Sequence, residues 1–407
     1  MKNKIIMFLK AVRRFLGKIK RNLIKTYKFF ILSKVKNYQL NKPYKVGFIV
    51  QSFAIWDKQI DVYEEMLKRK DLQVFMFVIP DYDFKNDKIL DTYENNNFIK
   101  KYKDAIKVLD EQGNWLDLKK YNLDYIFYPR PYEHYLPKQY RSDVMSKYCR
   151  CCYIPYGGLS GSNNFNTTGL PFFDNIYCLF MDLDYSKKWV ESSYPISCKL
   201  GIKKVFNLGY PFLAKFLDYP KIEKIKTITW TPRWSMDPII GGSNFLKYCD
   251  NFLQLIENKR YNYIFRPHPM MFDELIKKGY IDDKFKMDFL KKLDENNVSF
   301  DITSSIEDIL KKTDLLITDF SSIISHFFIT NRPVIYCTGG IPLDDTYLEI
   351  MKYSYSADNW EDVLKYIKFI EENKNIDNKN KLEFINRKFS ICRNSAKLIV
   401  DKIEEGI

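Results

Sequence analysis

The 407-residue sequence predicts two doubly wound α/β domains, each a parallel sheet covered by helices, preceded by a basic amphipathic helix. Three observations carry that reading. Short apolar runs rich in β-branched and aromatic residues alternate with helical stretches, the signature of parallel sheets covered on both faces. The alternation comes in two series that divide around residues 209–224. The charge, finally, is unevenly placed. Residues 1–45 hold 14 of the 65 Lys and Arg and no acid, the first acid being Asp57, so the remaining 51 bases meet 51 acids.

That distribution disfavours a nucleic-acid binder, whose basic stripe would spread over a folded domain. A hydrophobic content of 46% with 16% aromatics excludes a disordered chain. Along residues 4–36, Ile5, Phe8, Leu9, Val12, Phe15, Leu16, Ile19, Leu23, Tyr27 and Phe30 gather on one helical face. Lys10, Arg14, Lys18, Arg21, Lys25, Lys28 and Lys36 fall largely on the other. No uncharged run here approaches the ~20 residues of a spanning helix, and the apolar core of a signal peptide is missing too. The segment is therefore expected to lie on an anionic membrane surface, at the cytoplasmic face, as a peripheral, monotopic anchor. Packing on the protein's own body and a nucleic-acid arm are the alternatives.

The first series places strands at residues 45–50, 72–80, 123–128, 151–155, 175–180 and 204–208, with helices at 56–69, 93–107, 138–147 and 186–193. The second places strands at 227–231, 261–266, 299–301, 314–318 and 333–337, with helices at 245–258, 283–296, 305–312 and 322–330. Residues 372–382 read as a surface turn between helices. The domains are thus 1–42 (membrane-surface helix), 43–215 (first α/β domain) and 216–407 (second α/β domain with C-terminal helices). In such pairs a ligand sits in the cleft, beyond the carboxyl ends of the strands. The eight cysteines lack disulfide or zinc spacing, and Cys149, Cys151 and Cys152 read as buried thiols in a reduced setting.

Three strand ends of the second domain carry groups suited to an anion. Arg266-Pro267-His268-Pro269 follows residues 261–265, two prolines stiffening a turn that sets Arg266 and His268 at the strand's carboxyl end. Asp319-Phe320-Ser321-Ser322 follows residues 314–318, where Ser321 or Ser322 would cap the next helix. Thr231-Pro232-Arg233-Trp234 follows residues 227–230, and Gly241-Gly242-Ser243 precedes a helix, its glycines letting backbone approach an anion. His326, inside an apolar helical run, reads as a core or interdomain histidine, and Trp230, Trp234 and Tyr336 as packing residues. The pairs Asp81/Asp83 and Asp182/Asp184 have a spacing common by chance and are not read as metal ligands.

In this order the Thr-Pro-Arg-Trp turn, the Arg-Pro-His-Pro turn and Thr318-Asp319-Phe320-Ser321-Ser322 followed by Asn331-Arg332-Pro333 resemble the CDP-glycerol:poly(glycerophosphate) glycerophosphotransferase family over roughly residues 225–340. The resemblance implies a GT-B fold and a role in teichoic acid or capsule polymer synthesis on the cytoplasmic membrane face. It implies a CDP-activated alditol phosphate as co-substrate and no metal or other cofactor. His268 would then be catalytic and, with Arg233, Arg266, Ser321 and Ser322, would contact the donor's phosphates, while Asp319 orders their loop; Gly242 and Ser243 are weaker candidates. In the first domain the family's His-Gly-Thr-Pro-type motif is replaced by Tyr156-Gly157-Gly158. Tyr156 is a poor base near neutral pH. His134 and Glu133, at another strand end, are the candidates to take the acceptor's proton.

The expected activity is transfer of glycerol phosphate or another alditol phosphate from a CDP donor to a hydroxyl of a cell-surface polymer or lipid-linked acceptor. The alternatives are a GT-B glycosyltransferase using a nucleotide-sugar, and a membrane-recruited nucleotide-binding module without turnover.

Overall fold

The structure, a computed structural model, describes residues 2–83, 86, 88–91, 93–157, 170–302, 306–372 and 378–407. Gly158, Ser305 and residues 373–377 of the 372–382 turn lie outside that set, as do the side chains of Ile5, Phe8, Leu9, Lys10, Arg14, Phe15 and Lys18. The described residues form two compact units. One holds residues 2–83, 86, 88–91, 93–156, 170–208 and 396–407, the other Gly157 and residues 209–302, 306–372 and 378–395.

The first unit is built on seven parallel strands. They are β1 (Tyr44–Val50), β2 (Leu72–Val78), β5 (Ala105–Lys107), β6 (Tyr125–Tyr128), β7 (Arg150–Tyr153), β8 (Cys178–Met181) and β9 (Lys204–Asn207), in the order β5-β2-β1-β6-β7-β8-β9. A separate antiparallel pair, β3 (Asp81–Asp83) and β4 (Lys88–Asp91), stands beside them in sequence. Strands β6, β7 and β8 are buried at every position, which is why they read as continuous apolar runs rather than alternating ones. Cys151, Cys152 and Cys178 sit within them as free, buried thiols. In β1, a side chain at Gly47 would meet Leu123 and Phe77 at 2.9 Å, so that position requires glycine.

The N-terminal helix spans Lys2–Lys36 and belongs to this unit. Its last turns bury Leu32 and Val35. The guanidinium of Arg150, itself buried, donates to the carbonyls of Lys36 (2.8 Å) and Tyr38 (3.3 Å) and lies over the rings of Tyr125 and Tyr177. A cation set against the helix's negative end holds that end to β7.

The second unit is a six-stranded parallel sheet. Its strands are β10 (Thr227–Thr231), β11 (Asn262–Phe265), β12 (Ser299–Phe300), β13 (Leu315–Thr318), β14 (Val334–Cys337) and β15 (Tyr355–Ala357), in the order β12-β11-β10-β13-β14-β15. Trp230 on β10 is fully buried among Phe245, Phe252, Phe265 and Trp360. Helix Phe245–Glu257 supplies that face through Phe245, Tyr248, Cys249, Phe252 and Ile256, a 3.6-residue spacing. His326 is a core histidine here, ringed by Tyr210, Phe212 and Phe216.

Several expectations are corrected. The helix at 56–69 is broken into Phe53–Trp56 and Ile60–Leu67, because Gln59 turns inward and its side-chain amide donates to the Tyr128 carbonyl at 2.7 Å. The helix at 93–107 stops at Lys101, and residues 105–107 instead pair with β2 as its edge partner. Residues 138–147 hold a 3-10 turn and the short helix Ser142–Met145. Residues 396–407, read with the second domain, join the first unit. There Ile399, Val400 and Ile403 are buried, and Arg69 pairs with Asp401 at 3.1 Å and Glu404 at 3.4 Å. Replacing Ile403 by Ala should therefore destabilise the first unit by ~2–5 kcal/mol, read as a lowered denaturant midpoint.

Candidate active site

Neighbouring parallel strands end on the same edge of a sheet, so the ends of β11, β10 and β13 bring their following loops together. Backbone hydrogen bonds then lock the loops to one another. Arg266 N–H donates to the Trp230 carbonyl (2.9 Å), His268 N–H to the Pro232 carbonyl (3.1 Å), and the Thr318 hydroxyl to the Thr231 carbonyl (3.3 Å).

Between these loops lies a cavity of about 300 Å³. Its walls include Arg233, Arg266, His268, Ser321, Ser322 and Trp234, and no carboxylate lines it among the described residues. Five residues expected from sequence to contact phosphate thus meet at one place. Trp234 forms part of the wall rather than only packing.

Asp319 does not face the cavity but stands behind it, fully buried. Its carboxylate accepts from Arg233 N–H (2.8 Å), Asn244 N–H (3.1 Å), the Asn244 side-chain amide (2.8 Å) and the Ser243 hydroxyl (3.3 Å). Burial raises its pKa, and these hydrogen bonds pull it back. Gly242 and Ser243 accordingly serve the loop behind the site and do not line the cavity. Asn244, which also donates to the carbonyls of Cys337 and Thr338, was not singled out in the sequence. Its position three residues after Gly241, at a helix start, was the available signal.

The cations are differently engaged. Arg233 donates to the Phe320 carbonyl at 2.5 Å and lies against the Phe320 ring. Arg266 forms an ion pair with Asp301, just after β12. The sequence reading missed that partner, although strand alternation puts Asp301 at the neighbouring strand's end. His268 opens onto solvent, and its Nδ1 accepts from the Met270 N–H at 3.2 Å. Crowding by protein atoms lowers its pKa, and the nearby charges of Arg233 and Arg266 act the same way, so the ring is neutral near pH 7. With Nδ1 accepting, Nε2 carries the proton and is a donor. Ser321 Oγ accepts from the Ile323 N–H at 3.2 Å, whereas Ser322, at the N-cap position, makes no capping bond with its side chain.

In the first unit, Glu133 accepts from the Ser142 N–H at the start of helix Ser142–Met145, and burial raises its pKa. That engagement gives Glu133 a structural task and weakens it as a base. His134 is exposed, against the ring of Tyr135. Tyr156 stacks edge-on with Tyr132, and burial pushes its phenol well up, keeping it protonated. Sequence reasoning also passed over Arg130, at the end of β6, which pairs with Asp81 and donates to Gln51.

Two measurements check this geometry. Asp319→Asn replaces one acceptor oxygen by a donor among four donors and should cost about 1–3 kcal/mol in denaturant unfolding. His268 should titrate below 6.5 in the free protein, and saturating pyrophosphate should raise its pKa, because a nearby anion favours the charged imidazolium. An imidazole NMR titration reads both values.

Comparison with known proteins bears on the same region. Residues 217–404 match the sequence profile of the CDP-glycerol:poly(glycerophosphate) glycerophosphotransferase family. No curated protein matches in sequence. Among solved structures, the wall teichoic acid polymerase TagF, in a variant soaked with CDPG, aligns over 98% of this chain and 98% of its own at 14% identity and a TM-score of 0.53. MnaA of S. aureus in complex with UDP aligns over 89% of this chain and 96% of its own, at 12% identity and TM-score 0.56. The UDP-GlcNAc 2-epimerase of Neisseria meningitidis, bound to UDP-GlcNAc, aligns over 89% and 100%, at 12% identity and TM-score 0.55. At such identities the likeness establishes the GT-B fold class. The motifs that form the cavity all fall inside residues 217–404, the segment that matches the CDP-glycerol:poly(glycerophosphate) glycerophosphotransferase family.

Proposed function

We propose that the protein transfers glycerol phosphate, or another alditol phosphate, from a CDP-activated donor to a hydroxyl of a polymer or lipid-linked acceptor in teichoic acid or capsule synthesis. The observation that carries this reading is the cavity whose charged lining, among the described residues, is cationic only, built by the loops after β10, β11 and β13. The family match over residues 217–404 and the CDPG in the TagF structure support the donor class. The acceptor hydroxyl attacks the donor's β-phosphorus in line, and CMP leaves with the bond electrons. Phosphoryl transfer of this kind depends on positioning and on stabilising charge at the leaving oxygen. Arg233, Arg266 and the Ser321 and Ser322 hydroxyls hold the phosphates, and His268 donates from Nε2 to the departing phosphate. On the first unit, His134 is the remaining candidate to accept the hydroxyl proton, Glu133 being occupied by the Ser142 amide.

The membrane surface belongs to the same proposal. Leu16, Ile19, Leu23, Tyr27 and Phe30 are exposed along one face of the N-terminal helix, while Leu32 and Val35 hold another face to the protein. Among the described residues no helix is long and apolar enough to cross a membrane. An exposed apolar stripe flanked by lysines supports attachment in the interfacial plane at the cytoplasmic face.

Incubating the protein with CDP-glycerol, CDP-ribitol and nucleotide-sugars, each with an acceptor, should release CMP from a CDP-alditol; turnover of a nucleotide-sugar alone would overturn the proposal. Donor binding without turnover would favour the non-enzymatic module, a reading motivated by the protonated Tyr156. His268→Ala should lower kcat/KM by about 10²-fold or more with the fold retained. For the membrane, Leu16→Glu combined with Leu23→Glu alters exposed positions only and should abolish sedimentation with anionic vesicles. Removing residues 1–40 is a poorer test, since it strips Leu32 and Val35 from the core.

A further inference from the structure

A second cavity, of about 390 Å³, lies in the first unit between the N-terminal helix and the short helix Pro195–Lys199. Phe29, Phe30 and Leu32 form one wall, and Tyr194, Pro195 and Ile196 the other. The polar groups at its floor are already satisfied within the protein. Asp174 accepts from the Tyr194 hydroxyl at 2.8 Å, and the buried Lys203 ammonium donates to the carbonyls of Phe173 (2.8 Å) and Ile176. Lys25, Thr26, Ser193 and Ser197 add further polar groups, and the rest of the lining is hydrocarbon.

The two helices are tied together at both ends of the groove. The Lys25 ammonium sits 5.2 Å over the Tyr194 ring, and the Lys36 ammonium donates to the Leu200 carbonyl at 2.8 Å. Yet the outer side chains of the short helix are left in solvent, Ile196 at 67% and Leu200 at 52% exposure. Phe30, at 65%, belongs both to the groove wall and to the exposed stripe of the N-terminal helix, so the stripe continues into the groove. The surrounding charge is mainly basic, the Asp174 carboxylate in the lining being engaged by the Tyr194 hydroxyl. Residues 185–204 carry Lys187, Lys188, Lys199, Lys203 and Lys204 against Glu191 alone, and Lys25 lines the groove from the N-terminal helix. An apolar slot continuous with an apolar stripe and edged by lysines matches a chain of hydrocarbon attached to a negative headgroup.

We propose that this groove takes one acyl chain of an anionic phospholipid, making helix Pro195–Lys199 a second membrane contact that fixes how the first unit sits on the bilayer. The inference rests on the membrane-surface reading of the N-terminal helix. It adds a defined lipid site, which a simple amphipathic helix does not have.

The full chain would be mixed with phosphatidylcholine–phosphatidylglycerol vesicles containing a trace of phosphatidylglycerol with a diazirine on one acyl chain. After irradiation, labelled peptides are mapped. Label is expected in residues 193–203 and 25–32 as well as along the stripe. Ser197→Trp, which fills the groove, should reduce label in 193–203 by at least about fivefold, while sedimentation with vesicles changes less than about twofold. Ile196→Glu, at an exposed position, should do the same and guards against a folding defect in the tryptophan variant. Sedimentation with label confined to the stripe overturns the groove assignment and leaves the membrane reading intact. Absence of sedimentation removes both. Displacement of the label by a small fraction of polyprenyl phosphate, but not by excess unlabelled phosphatidylglycerol, would assign the groove to a different lipid and overturn the proposal.

Discussion

Asp319 is a fully buried carboxylate held by four donors from two other loops, and the positions of the cavity walls follow from that arrangement. A buried charge is tolerable only when hydrogen bonds replace the water it has lost. The chain satisfies this one with the Arg233 backbone, the Ser243 hydroxyl and both donors of Asn244. The consequence is geometric. The loop after β10, the start of helix Phe245–Glu257 and the loop after β13 are drawn to one point, so that Arg233, Ser321 and Ser322 are presented on the other side. Negative charge behind the wall also offsets the mutual repulsion of cations in front of it.

Much of this was legible in the sequence, and the rest was not for identifiable reasons. The alternation of apolar runs with helical stretches located the fully buried strands, since β6, β8 and β14 lack charged positions and β7 and β13 carry a polar residue only at one end. The cavity residues were legible because each follows a strand directly, and parallel strands deliver their ends to one edge. Of the edge strands, residues 204–208 and 299–301 were legible, whereas residues 105–107 and 355–357 were not. Residues 105–107 carry an intermediate burial pattern and extend only because β2 offers open hydrogen-bonding groups, a tertiary demand that local propensity does not encode. The interruption near Gln59 likewise depends on a carbonyl 69 residues away. Partners of charges were the least visible. The Arg266–Asp301 pair and the Glu133–Ser142 contact join groups whose proximity emerges only after the sheet and its loops are assembled.

The N-terminal helix separates two tasks by face and by length. Its last turns are fixed by burial of Leu32 and Val35 and by the Arg150 guanidinium at its carbonyl end. Its exposed apolar residues, by contrast, gain nothing within the described molecule. A protein that left Leu16, Ile19, Leu23, Tyr27 and Phe30 in water without compensation would carry a continuous apolar patch prone to association. The excess of basic residues is concentrated on the same segment, which opposes self-association of such a patch and, in the proposed attachment, would favour an anionic surface. The charge asymmetry of the chain and the geometry of its first helix are therefore one property.

His268 shows how local backbone structure can assign a chemical role. A neutral imidazole has one donor and one acceptor, and either nitrogen could hold the proton. Here the Met270 N–H points at Nδ1, so protonating that nitrogen would set two donors against each other. The proton is left on Nε2. The histidine cannot then begin the proposed reaction as a base at Nδ1, and at Nε2 it has a proton to give rather than a lone pair to accept one. That property suits the leaving side of a phosphoryl transfer, where negative charge accumulates on the departing phosphate, and it suits the attacking side poorly. Arg233 and Arg266 reinforce the assignment. Their charges disfavour an imidazolium, which keeps the single ring proton on Nε2, the nitrogen with a hydrogen bond to give.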